Sequence, residues 1–138
     1  MSEENVELVS RWYELWSETS KAELMARMPR VMAFCHPEVE WWIHRDGGLT
    51  HRGREAVREA LERWLDSLDE YWYELQRTVD CDGDEVLVIG VETSRGAVSG
   101  VEVRSLSYEL LTIRDGHIVC FYEFHDESHA LEAAGLSE

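Results

Sequence analysis

Hydrophobic positions recur with helical spacing in the first half of the chain and with strand spacing in the second. Val6, Val9, Tyr13 and Trp16 fall on one helical face, with Leu8, Trp12 and Leu15 beside them. So wide a stripe predicts a helix buried along much of its girth. Ser2 is placed to cap it, with Glu3 and Glu4 in the positive first turn. Residues 17–20 break the pattern. Residues 21–28 predict a second short helix stopped by Pro29, and residues 31–34 a further turn before a break at His36-Pro37. Residues 54–68 form the clearest helix, with Val57, Leu61, Trp64, Leu65 and Leu68 on its apolar stripe.

Strand alternation first shows at residues 39–44, where Val39, Trp41 and Ile43 share one face and Glu40, Trp42 and His44 the other. Asp46-Gly47-Gly48 follows as a loop. Residues 71–81 and 85–93 flank a turn at Asp82-Gly83-Asp84, and a Gly/Ser-rich loop covers 94–100. Residues 101–113 and 117–125 flank the Asp115-Gly116 turn. Asp126 caps a last helix running through Ala134, with Gly135 suited to the position just past its end. Helices followed by a long, mostly antiparallel sheet predict an α+β domain. A curved sheet wrapped around three helices leaves a cone with an apolar interior.

Length and composition narrow this further. The 138 residues suit one domain, and 44% hydrophobic with 30% charged residues suits an ordinary globular one. No apolar run approaches the ~20 residues of a membrane span, and the acidic start lacks the regions of a signal peptide, so the expected compartment is the cytoplasm. The net charge of -16, from 29 acidic and 13 basic residues, argues against nucleic acid as a partner. Cys35, Cys81 and Cys120 are far apart, and no C-x-x-C suggests zinc or redox chemistry; Cys120, in an apolar strand, reads as a buried reduced thiol. Six tryptophans suit both a packed core and a pocket with flat apolar walls.

Several segments carry a resemblance in their order and spacing. They are Glu4-Asn5-Val6-Glu7-Leu8-Val9 with Trp12-Tyr13, His36-Pro37-Glu38-Val39-Glu40-Trp41, Arg52-Gly53-Arg54-Glu55-Ala56-Val57, Gly100-Val101-Glu102-Val103, Arg114-Asp115-Gly116-His117-Ile118, and Ala130-Leu131-Glu132-Ala133-Ala134-Gly135-Leu136. Through these the chain resembles the SnoaL-like branch of the nuclear transport factor 2-like superfamily over nearly its whole length. The resemblance implies a cone-shaped α+β barrel and a homodimer formed through the outer sheet face. It also implies a range of uses, from isomerases, cyclases and dehydratases to binding modules without catalysis. Residues 20–34 are longer than the family's usual second helix and connection, which bears on pocket size.

Measured against Δ5-3-ketosteroid isomerase, a family member, the resemblance places Trp41 at the base position, Trp12 at the tyrosine position with Tyr13 on another face, and Glu109 at the aspartate position. Steroid isomerisation by that mechanism is therefore not expected. Glu109 still stands out, because a mid-strand carboxyl between Tyr108 and Leu110 needs either an exposed face or a partner. Inside the cone, desolvation would raise its pKa and suit it to acid–base work. A three-residue turn would set Glu109 opposite Phe121, and a two-residue turn opposite Tyr122. The resemblance favours the first, with Phe121, Glu123 and His125 facing inward. His125, with Glu109 or Glu123, is the expected acid–base partner near neutral pH. The expected ligand-binding residues are Trp12, Trp16, Trp41, Ile43, Trp64, Tyr73 and Phe121, with His44, Arg45 and Asp46 as a solvated rim.

No metal site is expected, since His125-Asp126-Glu127-Ser128-His129 misses the H-E-x-x-H spacing and straddles a strand-to-helix break. No phosphate-binding or dinucleotide fingerprint is present either, and no cofactor is expected. The reading is thus an aromatic-lined pocket for a hydrophobic or polycyclic small molecule, with possible acid–base isomerase, cyclase or dehydratase chemistry that uses no cofactor. The alternative is a non-catalytic ligand-binding or dimerisation module.

Overall fold

The structure, a computed structural model, describes residues 2–43, 49–81, 83–124 and 126–136. The expectations for His44, Arg45, Asp46, the Gly47-Gly48 loop, Asp82 and His125 lie outside the described residues, as does the expected cap by the side chain of Ser2. Helix α1 spans Ser2–Trp16, α2 Lys21–Ala26, α3 Met28–Ala33, α4 Arg54–Asp66 and α5 Glu127–Ala133. The strands are β1 Cys35–Ile43, β2 Leu49–Arg52, β3 Leu68–Asp80, β4 Glu85–Gly96, β5 Glu102–Arg114 and β6 His117–Phe124. They form one curved six-stranded sheet in the order β2-β1-β6-β5-β4-β3. Among the described residues, only β1 and β6 run parallel. The α+β class is as expected. The sheet is open, with β2 and β3 as its edges, so the barrel does not close through hydrogen bonds.

Four helices, not three, precede the long strands. Arg27 ends α2 and starts α3, and Pro29 lies in the first turn of α3, where its missing N–H costs nothing. The expected stop at Pro29 is therefore a helix start. At Ser20 a reciprocal cap forms: the Ser20 hydroxyl accepts from the Glu23 N–H, and the Glu23 carboxylate accepts from the Ser20 N–H. His36-Pro37 is likewise not a break but part of β1. The ladder to β6 is interrupted between Cys35 and Glu40, so no ladder bond is lost at proline. The short β2, absent from the expected elements, pairs antiparallel with β1. At the other end of the chain α5 forms as expected. The Asp126 carboxylate accepts from the His129 N–H, and Gly135 takes a φ of 76° beyond the last turn.

The concave face of the sheet holds the main core. Val9, Trp12 and Tyr13 of α1, Leu24, Met28 and Val31 of the short helices, and Val57, Leu61 and Leu65 of α4 meet Val39, Tyr73, Val88, Leu111 and Phe121 from the sheet. A smaller cluster on the convex face packs Ala130 and Ala134 of α5 against Leu87, Tyr108 and Leu110. Gly90 lets the Tyr73 ring lie flat across β4, because a Cβ there would sit 2.2 Å from the phenol oxygen. After α1 the chain turns at Glu18, whose N–H donates to the carbonyl of Tyr73 on the edge strand. Cys120 points to the convex face and is half-buried rather than buried; burial and nearby Glu40 and Glu85 push its thiol up to about 11. The enclosed thiol is Cys35, pushed up to about 12 by burial.

Candidate active site

Strand pairing decides which polar groups meet inside the sheet. Asp115 and Gly116, with φ of 52° and 75°, make a two-residue turn, and Arg114 pairs with His117. Carried along unbroken, that turn would set Glu109 opposite Tyr122. Instead the register shifts by one residue between the Ile113–Ile118 and Thr112–Cys120 pairs. This bulge sets Glu109 opposite Glu123, and Phe121 opposite Leu111. Neither expected pairing of Glu109 is observed. The inward orientation expected for Phe121 and Glu123 does hold, because the bulge restores their face.

Glu109 thus stands mid-sheet on the concave side, between Val88 of β4 and Glu123 of β6. The Tyr13 hydroxyl donates to Glu109 Oε1. The resemblance sets Trp12 in the tyrosine position, with Tyr13 on another face. In the fold Trp12 spends its indole N–H on the carbonyl of Val31, 2.9 Å away, and Tyr13 reaches the carboxyl. Glu123 accepts from the Trp41 indole N–H at 3.1 Å, and Glu92, four residues along β4 from Val88, accepts from the Tyr71 hydroxyl at 3.0 Å. Burial, the charge of Glu123 and a hydrogen bond with Glu123 together hold the pKa of Glu109 well above the ordinary carboxyl range. Glu109 keeps some accessible surface and lines a chamber. Burial likewise raises Tyr71 well above the usual phenol range, with the charge of Glu92 adding to it, and raises Tyr73.

The chamber measures about 20 Å³, room for one water-sized group. It brings together Trp12, Trp16, Trp64, Tyr73, Phe121 and Glu109 from the expected set. Trp41 and Ile43 point inward but pack in the core outside the chamber walls, and Trp41 reaches the site only through its bond to Glu123. Tyr13, Leu61, Tyr71, Glu92 and Glu123 complete the lining. Of these, Tyr71 and Glu92 were legible from alternation: Tyr71 shares the face of Tyr73, and Glu92 is a second mid-strand carboxyl one position from an outward-facing neighbour. Glu109, its pKa raised by burial and by Glu123, puts a carboxyl that holds its proton beside a second carboxyl group. Among the described residues, no group of three His, Cys, Asp or Glu side chains is arranged to hold a metal. His129 instead binds its own helix cap, with Nδ1 2.7 Å from Asp126.

A family profile described as a SnoaL-like domain matches residues 9–121. No protein of curated function matches the chain. Among solved structures, Bal32a from a soil-derived mobile gene cassette superposes with a TM-score of 0.75 at 18% identity, covering 96% of each chain. TerC, co-crystallised with polyporic acid, gives 0.69 at 21% identity, covering 96% of this chain and 98% of its own. A protein of ketosteroid isomerase-like fold from Catenulispora acidiphila, in complex with trimethylamine, gives 0.68 at 19% identity, covering 95% and 94%. At these identities the likeness is one of fold.

Proposed function

Because the chain belongs to the SnoaL-like domain family, we propose that it binds a hydrophobic, flat small molecule against its aromatic interior and moves protons on it without a cofactor. Glu109 is the acid of this reaction and Glu123 its partner base; His125, two residues beyond Glu123, is the second candidate for that partner. The observation that carries the reading is the Glu109–Glu123 pair, set face to face on adjacent strands at the wall of an aromatic chamber. A carboxyl whose pKa is raised by burial holds its proton more tightly and can donate it to a substrate, and a carboxylate beside it can take one. That two structural relatives hold small organic molecules supports a ligand-bearing interior here.

The test has two stages. A panel of flat polycyclic compounds is screened by quenching of tryptophan fluorescence, and binders are then followed by NMR for deuterium uptake from D2O at acidic carbons. Glu109→Gln should keep binding and lose the catalysed exchange. Exchange that persists undiminished in the variant removes Glu109 from the chemistry, and a panel without binders removes the pocket reading.

The convex face supports a second part of the reading, that two copies pair through the sheet. Trp42, Tyr122 and Phe124 stack in a row there, with ring centroids 5.8 and 4.6 Å apart, and all three are only half-buried. Tyr122→Lys should then shift the protein from dimer to monomer in sedimentation equilibrium. An unchanged mass would place any pairing elsewhere.

A further inference from the structure

Strand β5 outruns its neighbour β6. Its pairing with β6 stops at Tyr108 and Phe124, whereas its pairing with β4 continues to Glu102 and Arg95. Hydrogen bonds at the two ends of the β4–β5 ladder fix which way the backbone of this overhang points. Ile113 donates its N–H to the carbonyl of Asp84 at one end, and Gly96 donates to that of Val101 at the other. The register between them is unbroken, so odd-numbered residues of β5 turn their backbone groups toward β4 and even-numbered ones away from it. The N–H and C=O groups of Glu102, Arg104 and Leu106 therefore face the side that β6 has left. Among the described residues no strand takes them up. The other long edge is guarded. On β3 the carbonyls of Tyr73 and Leu68 accept from the Glu18 N–H and Lys21 Nζ, and a bulge interrupts the strand between Leu75 and Arg77. The overhang of β5 is apolar instead. Val98, Val101, Val103 and Leu106 are four of the five large apolar side chains that stand exposed among the described residues.

We propose that this overhang pairs antiparallel with the same stretch of a second copy, about a two-fold axis at Val103. Charge and chain ends select that register. Arg104 shares the convex face with Thr93 and Trp72, and Glu102, two residues before it, lies on the same face. An axis at Val103 sets Glu102 of each copy beside Arg104 of the other, two opposite-charge pairs by symmetry. It also brings together the residues whose free backbone groups face outward, as a hydrogen-bonded ladder requires. An axis at Glu102 or Arg104 would oppose like charges. An axis at Ser105 or beyond would run the second strand onto Tyr108, whose edge Phe124 already occupies. An axis at Val101 would set Arg104 against the turn at Val98. With the axis at Val103, Gly100 of the partner subunit falls opposite Leu106, and the partner's strand turns away there, short of β6. Two sheets then join side by side. This contact is distinct from the back-to-back pairing through Trp42, Tyr122 and Phe124, and does not depend on it.

Amide hydrogen exchange of wild-type protein, followed in 15N–1H spectra across a dilution series, reads the pairing without a variant. The N–H groups of Glu102 and Arg104 should exchange freely in dilute protein and slow by roughly tenfold or more as the concentration rises. Pairing through the convex face leaves both groups exchanging freely, so the two contacts give different results. Arg104→Glu sets like charges opposite each other and should weaken association roughly tenfold in sedimentation equilibrium. Glu102→Arg combined with Arg104→Glu rebuilds both pairs with reversed polarity and should restore association. Amides of Glu102 and Arg104 that exchange freely at the highest concentration overturn the pairing. So does an Arg104→Glu variant that associates as wild type does, or a double variant that is folded by its urea midpoint and still stays apart.

Discussion

Replacing Glu109 with glutamine should change how stability depends on pH more than stability itself. In the folded protein burial and Glu123 keep the proton on Glu109, so its folded pKa lies above the unfolded value of about 4.3. Below that unfolded value both states carry the proton, and the full stabilising contribution is present. As the pH rises past it, the unfolded chain releases the proton and the native chain does not. Stability then falls by about 1.4 kcal/mol per pH unit, until the pH passes the folded pKa and the contribution is lost. Glutamine has the shape of the protonated acid. Its amide oxygen can accept from Tyr13 and its NH2 can donate to Glu123, but it has no proton to give up. The variant therefore lacks the slope. Urea unfolding of both proteins in half-unit steps from pH 4.5 upward reads this directly. The variant should gain on wild type by roughly 1.4 kcal/mol for each pH unit, and the gain should level off at the folded pKa. Curves that run parallel across this range would mean that Glu109 titrates as it does in the unfolded chain, and the acid–base reading would lose its basis.

Other substitutions test the frame that holds the site. Gly90→Ala forces a methyl group against the Tyr73 ring and should cost about 1–3 kcal/mol, seen as a lower midpoint in urea. Tyr71→Phe removes the hydroxyl that donates to Glu92 and should cost about 1.5–3 kcal/mol, because the acceptor is a carboxyl group lining the chamber. Ser20→Ala breaks the reciprocal cap with Glu23 and should lower stability by about 1 kcal/mol in thermal melts, without altering binding at the chamber.

Periodicity carried the fold a long way. The wide stripe of α1, the clean stripe of α4 and the alternation of β1 all led to the observed elements, because each buries one face against a large core. The departures have local causes. Proline signals a stop at residues 29 and 37 when only the sequence is considered. In the fold one proline lies in a first helical turn and the other where the ladder is interrupted. The pairing of Glu109 was illegible for a different reason. Ile118-Val119-Cys120-Phe121 is apolar throughout, so no polar residue marks where the strand gains its extra position. A bulge hidden in such a run leaves no trace in alternation, yet it changes every pairing beyond it. A comparison of positions along the helix does not reveal the contact of Tyr13 with Glu109. The competition that assigns Trp12 to Val31 and frees Tyr13 for Glu109 depends on α3, whose location no periodicity supplies.

The chamber gives these details their functional weight. Large aromatic side chains from α1, α4 and β3 fill the cone so fully that about 20 Å³ is left. A site with so little free volume cannot choose among ligands by the room it offers, so it must choose by the polar atoms at its wall and by which aromatic group yields. Those atoms are held on elements that do not move independently. Glu109 and Glu123 are paired rungs of one sheet, while Tyr13 and Trp16 share one helix. Burying two carboxyls together is costly unless they share a proton and receive donors. Tyr13 and Trp41 supply donors to the pair. A cluster that served packing alone would gain from apolar residues at Glu109 and Glu123, since replacing a buried polar pair with well-packed hydrophobic side chains is often neutral or stabilising. The double change Glu109→Leu with Glu123→Leu separates the two cases. If the variant is as stable as wild type or more so at neutral pH and catalyses no exchange, the carboxyls are kept for their chemistry. A large loss of stability would make them part of the scaffold instead.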